Sequence, residues 1–215
     1  MDFGAKGIMS GDGGCEFGAI VLDSIVLCEE IQEELARFTK EYEGTKDNLL
    51  RKHDYARWSY VLGKIPDGST ILDIGVGVGQ FVNAAARTNR FARVCGVDIS
   101  KHSQFLESEV GGVEMHYVNA TDLDFIDGEF DYVTCMEVIE HLEDDDMIKA
   151  ISEIIRVAKK RAIITFPYCE REPIPKYHKQ RYTMPRVRNL FPEAKIGLFV
   201  RDRWINWTYV EEDFC

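Results

Sequence analysis

Apolar and polar positions recur with helical spacing along the first part of the chain. Residues 22–42 place apolar side chains three or four positions apart, with acidic residues on the other faces, which predicts a long amphipathic helix. A second helical pattern covers residues 48–62 and stops at a cluster of glycine and proline. We therefore expect an N-terminal helical lid over residues 21–68, with Tyr55, Arg57 and Trp58 as candidates for covering a site.

From residue 69 onward the pattern changes to short β-rich runs separated by helical segments. The predicted strands are residues 70–74, 93–98, 114–119, 130–135 and 161–166. The predicted helices between them are residues 80–87, 101–109 and 144–158. Strands and helices that alternate in this way form a parallel sheet with helices on both faces.

Two further β-like runs, residues 194–200 and 204–210, lie close together near the end of the sequence and predict an antiparallel hairpin. The expected fold class is therefore α/β: a Rossmann-like, doubly wound, mostly parallel seven-stranded sheet with a C-terminal antiparallel hairpin and N-terminal lid helices. The sheet domain is expected to cover residues 69–215.

The composition of the first residues predicts a further segment, a leader before the helical lid. The sequence has 215 residues, of which 45% are hydrophobic and 29% charged, as in a protein that buries a single core. Six of its seventeen glycines fall within the first eighteen residues. Glycine-rich chain without apolar periodicity loses much entropy on ordering, so residues 1–20 are predicted to be a flexible leader.

Charge and cysteine content narrow the classes of function. The formal net charge of −11 argues against a surface that binds nucleic acid by bulk electrostatics. The six cysteines are scattered singly, which favours reduced thiols over a zinc knuckle or a disulfide framework. No apolar run approaches the roughly 20 residues of a membrane span. We therefore expect a cytoplasmic protein that does not insert into membranes.

The sharpest motif is a glycine turn that follows the first predicted strand of the sheet. Gly75, Gly77 and Gly79 alternate after Asp73, and a helix is predicted to follow them. Glycines allow a ligand to approach the backbone and the N–H groups of the helix start. The spacing differs from that of a dinucleotide fold or a phosphate loop, and the acid before the turn suits a cationic ligand better than a pyrophosphate.

A second acid, Asp98, ends the next predicted strand, where a carboxylate can accept hydrogen bonds from the hydroxyls of a ribose. An apolar strand, an acid, a G-x-G-x-G turn and an acid after the second strand resemble the class I S-adenosylmethionine-dependent methyltransferases. The resemblance covers residues 70–166. It implies S-adenosylmethionine as cofactor and methyl transfer as the activity.

Carried over position by position, the resemblance implies a set of cofactor contacts. They are Asp73, Gly75, Gly77, Gly79, Asp98, Ile99, Asn119, Ala120 and Met136. The family commonly has an acid where Asn119 stands, so this chain departs from the pattern there; the amide oxygen of Asn119 can still accept one hydrogen bond from the adenine amino group.

A group of carboxylates and histidines follows the fourth predicted strand. In a helical turn Glu137, Glu140 and His141 would share one face, and His178 follows the fifth strand at the same sheet edge. Such side chains can hold a divalent cation, supply a general base for a hydroxyl, or only orient a loop. All three alternatives remain open from the residues alone.

The E-x-x-E-H pattern with a later histidine resembles two kinds of methyltransferase. One is the ubiquinone-biosynthesis O-methyltransferases, and the other is the small-RNA 2′-O-methyltransferases, in which these four side chains bind a metal. The resemblance therefore implies Glu137, Glu140, His141 and His178 as catalytic residues and as candidate ligands of a divalent metal ion.

The leading functional hypothesis is O-methylation of a small-molecule hydroxyl, because a hydroxyl needs the most help with its proton. Residues 156–188 hold ten Lys and Arg and two acids, which suggests an acceptor with a carboxylate or phosphate, or else a solvated basic face. The alternatives are an RNA-directed 2′-O-methyltransferase and a non-catalytic protein that binds S-adenosylmethionine.

Overall fold

The fold is built around a single mixed sheet. The structure is a computed structural model and describes residues 18–21, 32, 52–101, 111–201 and 204–214. The strands are β1 (Gly18–Val21), β2 (Thr70–Ile74), β3 (Arg93–Asp98), β4 (Val113–Tyr117), β5 (Phe130–Met136), β6 (Ala158–Pro167), β7 (Lys195–Arg201) and β8 (Trp204–Asp213). The helices are α1 (Lys52–Gly63), α2 (Gln80–Arg87), α3 (Asp144–Val157) and α4 (Met184–Leu190), with a 3-10 turn over Ile139–His141.

Strand pairing brings five carboxyl-terminal strand ends to one edge of the sheet. The strand order is β1-β7-β8-β6-β5-β2-β3-β4, in which β2 to β6 run parallel and β8 is antiparallel to both β6 and β7. The order reverses between β2 and β5, and ligands bind open α/β sheets in the crevice at such a point. The residues that follow β2 and β5 are therefore the first candidates for a site.

Helices cover both faces of the sheet and bury two apolar clusters. On one face α3 packs Met147, Ile151 and Ile154 against the sheet. Its first turn carries three aspartates and its last turn Arg156, charges that complement the helix dipole. On the other face α1 and α2 contribute Tyr55 and Phe81 to the second cluster. Because α1 is a member of this core, Trp58 is a packing residue there.

The sequence-based prediction of the fold is confirmed for the seven strands of the sheet domain, and the strand ends move by only a few residues. An eighth strand, β1, pairs in parallel with β7. It occupies residues 18–21, so the boundary expected for the leader at residue 20 falls inside a strand. The helices predicted over 22–42 and 101–109 lie outside the described residues, apart from Gln32, which is helical, and Lys101.

Among the described residues, no helix combines the length and the apolar character that crossing a membrane requires.

Candidate functional site

The glycine turn after β2 is held against its neighbours by backbone contacts. The N–H of Gly75 donates to the carbonyl of Val97 at 2.8 Å. Gly75, Gly77 and Gly79 all have positive φ, of 79°, 58° and 93°, a conformation that glycine adopts without strain. A Cβ on Gly75 would lie 2.1 Å from Cγ2 of Val138, whereas a Cβ on Gly77 would meet nothing within 4 Å. The turn therefore packs closely at Gly75 and leaves open space at Gly77.

Asp73 lies at the end of β2 beneath this turn and is only 4% exposed. The hydroxyl of Thr134 on β5 donates to Oδ1 of Asp73 at 2.6 Å. Burial raises the pKa of the Asp73 carboxyl to about 7, although the Thr134 hydrogen bond lowers it, and the nearby Asp98 raises it further. A cationic ligand beside Asp73 would favour its ionised form.

The other expected cofactor contacts follow the neighbouring strands. The carboxylate of Asp98 accepts the N–H of Gly77 at 2.9 Å, which connects the ends of β2 and β3. Ile99 follows with 71% of its surface exposed. After β4, Oδ1 of Asn119 accepts the N–H of Thr121 at 3.1 Å and so holds a turn, with Ala120 beside it. Met136 ends β5 and is buried.

The expectation that Glu137, Glu140 and His141 share one helical face is wrong. Glu137 has a φ of 60°, and its N–H donates to the carbonyl of Thr165, which continues the pairing of β5 with β6. Only Ile139–His141 form a 3-10 turn. The Glu137 side chain also turns toward Thr165, whose hydroxyl donates to Oε1 at 3.2 Å.

Glu140, His141 and His178 nevertheless converge. Each offers one ligand atom such that the three atoms lie within 4.8 Å of one another. Glu140 is 1% exposed, and its Oε2 has no hydrogen-bond partner among the described residues. Burial raises the pKa of the Glu140 carboxyl well above its ordinary value, and the charge of Glu137 raises it further. A buried acceptor without a partner is costly unless a proton, a cation or a ligand satisfies it.

The segment after β6 is docked onto the 3-10 turn by backbone hydrogen bonds. The N–H groups of Lys179 and Gln180 both donate to the carbonyl of Glu140, at 2.7 and 3.1 Å. Nδ1 of His141 lies 3.0 Å from the carbonyl oxygen of Tyr177. The ring centroids of His141 and His178 are 5.0 Å apart. These bonds fix His178 beside Glu140 although 38 positions separate the two residues.

Two charged residues complete the surroundings of this cluster. Nη1 of Arg57 on α1, a side chain 3% exposed, lies 3.0 Å from Oε1 of Glu137. Nδ1 of His178 lies 2.6 Å from Oε2 of Glu170. Sequence reasoning named Arg57 only as a cover for the site and missed Glu170. A carboxylate eight residues before a candidate histidine in the same loop is the one signal that could have indicated it.

The basic run over residues 156–188 divides between two ends of the sheet. Arg156, Lys160 and Arg161 lie at or before the amino-terminal end of β6, opposite the cluster, and form ion pairs with Asp127, Asp131 and Asp213. In the segment after β6, Lys179, Arg181 and Arg186 pair with Glu143, Glu172 and Asp144. Lys176 has no ion pair with any described residue. The run is therefore mostly neutralised locally.

A second group with ligand-type side chains lies at the β3–β4 edge of the sheet. Cys95, Glu114 and His116 also place one ligand atom each within 4.8 Å. Nε and Nη2 of Arg93 both donate to Oε2 of Glu114, and burial raises the pKa of the Cys95 thiol to about 12. The carboxylate of Glu114 is thus already engaged by Arg93, and we assign no metal site to this group.

Comparisons with known proteins indicate a methyltransferase domain. The model of a methyltransferase domain matches residues 72–166. The ubiquinone biosynthesis O-methyltransferase of Alkalilimnicola ehrlichii is 32% identical over 115 residues, which are 50% of this chain and 44% of that protein. The chain thus matches less than half the length of this relative.

Solved structures share the fold at low sequence identity. Magnesium protoporphyrin IX methyltransferase from Synechocystis, solved with bound S-adenosylhomocysteine, has a TM-score of 0.58 at 18% identity and is matched over 84% of this chain and 92% of that one. The PH0226 protein from Pyrococcus horikoshii has a TM-score of 0.59 at 19% identity, over 84% and 98% of the two chains. Residues 72–166 of this chain are thus similar to a methyltransferase domain, and the sheet shares the fold of these solved structures.

Proposed function

We propose that this chain is an S-adenosylmethionine-dependent O-methyltransferase that acts on a hydroxyl of a small-molecule acceptor. The observation that carries the proposal is the convergence of Glu140, His141 and His178 beside the glycine turn, with a buried carboxylate oxygen that lacks a partner among the described residues. The named relative in ubiquinone biosynthesis, an O-methyltransferase, supports oxygen as the acceptor atom.

The residues at the glycine turn fit the cofactor. Open space beside Gly77 leaves room for a ligand against the backbone. Asp73 suits the cationic amine and sulfonium, and Asp98 suits the ribose hydroxyls. The exposed side chain of Ile99 and the backbone at Asn119 and Ala120 are proposed to contact the adenine. When bound, S-adenosylmethionine supplies a methyl group for in-line displacement by an acceptor oxygen, and the electron pair of the broken carbon–sulfur bond goes to sulfur.

The cluster is proposed to take the proton that the acceptor oxygen loses. A neutral imidazole offers one nitrogen lone pair, and a histidine is the commonest general base near neutral pH. Glu140 is buried beside both imidazoles, so a positive charge that develops on either ring would favour its ionised form. Glu137, held by Arg57 and Thr165, adds a negative charge near Glu140.

The donor set also fits a divalent cation. One carboxylate oxygen and two imidazole nitrogens are ligands that several divalent metals accept. Glu140, His141 and His178 would hold the ion, with Glu137 as the fourth candidate. The chemistry that a metal supplies here is Lewis-acid polarisation, which lowers the pKa of a hydroxyl. With a metal bound, the cluster can assist loss of the hydroxyl proton without a separate general base.

The charges favour a small acceptor over RNA. Binding to a nucleic-acid backbone requires several cations free to contact phosphates. Most cations of the basic run have acidic partners, and three of them lie at the far end of the sheet. One cation of the site loop, Lys176, is proposed to pair with a carboxylate or phosphate on the acceptor.

The test is a methyl-transfer assay with S-adenosylmethionine carrying a labelled methyl group. Panels of phenols, sugars, amines and short RNAs are offered to the wild-type protein, before and after chelation and with Mg²⁺ or Mn²⁺ restored. We expect a labelled methyl ether of a small molecule. A product methylated only on nitrogen or carbon, or only on RNA, would overturn the proposal. Cofactor binding without transfer to any acceptor would favour the non-catalytic alternative.

A further inference from the structure

The side-chain pair of Glu170 and His178 lies next to the proposed catalytic cluster. Oε2 of Glu170 is 2.6 Å from Nδ1 of His178, and both side chains are mostly buried. A hydrogen bond that involves an ionised group is about twice as strong as a neutral one. The pair therefore fixes the orientation of the His178 ring.

The same bond selects the tautomer of His178. An ionised carboxylate can only accept hydrogen bonds, so a neutral His178 must carry its proton on Nδ1 and keep the lone pair on Nε2. His141 is in the same situation, because its Nδ1 lies 3.0 Å from a carbonyl oxygen, that of Tyr177. The two acceptors, Glu170 and Tyr177, belong to one loop. That loop thus sets the form of both imidazoles.

We propose that Glu170 is the positioning residue of the site. It holds His178 as the Nδ1–H tautomer, so that the lone pair of Nε2 can take the proton of the acceptor hydroxyl or bind a cation. The proposal rests on the proposed function insofar as His178 takes part in methyl transfer. It assigns the carboxylate no contact with the acceptor. A histidine that binds a metal donates its other ring N–H to a carboxylate or carbonyl in just this manner.

A purely structural role for Glu170 predicts a different result. Within the same loop, Nε of Arg181 donates to the backbone carbonyl of Glu170 at 2.8 Å, and this bond does not involve the carboxylate. Removal of the carboxylate therefore leaves that loop contact in place. If Glu170 only stabilised the loop, its loss would change the free energy of unfolding and leave the ring tautomer of a folded protein unchanged.

The experiment reads the tautomer by NMR in protein with ¹⁵N-labelled histidine, without metal or acceptor, at about pH 8.5, which is above the pKa of about 6.5 of an unperturbed histidine. The His178 signals are assigned by their loss in His178→Gln. Wild type and Glu170→Gln, whose amide oxygen can still accept, should show the Nδ1–H form. Glu170→Ala should shift toward Nε2–H. Glu172→Ala removes a carboxylate of the same loop that is exposed and paired with Arg181, and it should match wild type.

A second readout is the affinity for Mn²⁺ measured by calorimetry. Loss of such a partner weakens metal binding about 10- to 100-fold, and we expect this loss in Glu170→Ala but not in Glu172→Ala. An Nε2–H form in wild type, or the same tautomer in Glu170→Ala as in wild type, would overturn the proposal. Because the NMR measurement needs neither cofactor nor acceptor, it decides the role of Glu170 even if no acceptor is methylated, a result that counts against the proposed function alone.

Discussion

Arg57 and Glu137 form an ion pair between α1 and the turn after β5, with Nη1 and Oε1 3.0 Å apart. The guanidinium is almost completely buried, and Glu137 is one-quarter exposed. Removal of one partner from a buried pair leaves a charge uncompensated, which costs more than the pair itself contributes. This contact therefore connects the packing of α1 to the electrostatics of the site.

Arg57→Met is expected to lower the free energy of unfolding by about 1–3 kcal/mol, less than for a fully buried pair because Glu137 is partly solvated. The double variant Arg57→Met/Glu137→Gln should be more stable than the sum of the single effects predicts, with a coupling of at least about 0.5 kcal/mol. Urea unfolding of the four proteins measures this. Additive single effects would show that the two side chains do not interact.

Gly77→Ala should weaken S-adenosylmethionine binding in addition to destabilising the fold. A Cβ at Gly77 meets no protein atom within 4 Å, so it would project toward the proposed cofactor. The positive φ adds about 1–2 kcal/mol of strain. Gly68→Ala is the matched control, because Gly68 has a φ of 76° and equally open surroundings before β2, away from the turn.

Calorimetric titration with S-adenosylmethionine is expected to show at least about a tenfold loss of affinity, or 1.4 kcal/mol, for Gly77→Ala. Gly68→Ala should bind as wild type does, while both variants lose similar stability. Equal affinity in the two variants would remove the cofactor from the glycine turn.

Asp73 predicts a distinct dependence of stability on pH. Its pKa is raised from about 4 in the unfolded chain to about 7 in the folded protein. Between these values the folded state holds a proton that the unfolded state has lost, so this group lowers stability as pH rises. The free energy of unfolding of wild type, relative to Asp73→Asn, should fall by up to about 1.4 kcal/mol per pH unit across this window and level off above it.

Urea unfolding of both proteins between about pH 4.5 and pH 8 measures this difference. Asn retains an oxygen that can accept the hydrogen bond from Thr134, so the comparison isolates the charge. A difference that is constant over the whole range would mean that Asp73 is ionised throughout.

Lys176 is expected to recognise an anionic acceptor. Lys176→Gln should raise the acceptor KM about two- to fivefold at low salt, with kcat unchanged, as for a single exposed charge. Lys159→Gln, an exposed lysine near the amino-terminal end of β6, is the control. The effect of Lys176→Gln should disappear at high ionic strength. Identical KM values in both variants would leave the acceptor without a charge contact at this residue.

The sequence pattern predicted the sheet well because strands β2 to β8 are short β-rich runs, each separated from the next by a helical segment or a turn. Gly75 and Asp73 were predicted as cofactor contacts because a turn of this kind needs glycine and because an acid before the turn indicates a cationic ligand. Edge strand β1 was missed, since Gly18–Val21 is short and follows a glycine-rich stretch. A four-residue edge strand gains its stability from pairing with β7, which no local pattern contains.

The proposed catalytic cluster depends on contacts between segments that are distant in the sequence. Helical spacing wrongly placed Glu137 and Glu140 on one helical face, because the positive φ of Glu137 and its bond to Thr165 depend on the neighbouring strand. Glu170 was not predicted, since its contact with His178 depends on a loop that folds back onto the 3-10 turn. The basic run was likewise predicted to form one surface. Its first residues, however, lie at or before the amino-terminal end of β6, at the end of the sheet opposite the cluster.

The most direct test of the proposed catalytic cluster compares Glu140→Gln with wild type on the best acceptor of the panel. The amide preserves the size of this buried side chain and cannot ionise. The predicted result is a loss in kcat of about 100-fold or more, with the Kd for S-adenosylmethionine unchanged. Glu143→Gln, which removes an exposed carboxylate three residues away, should keep the wild-type kcat. A Glu140→Gln protein that turns over as fast as wild type would contradict the account.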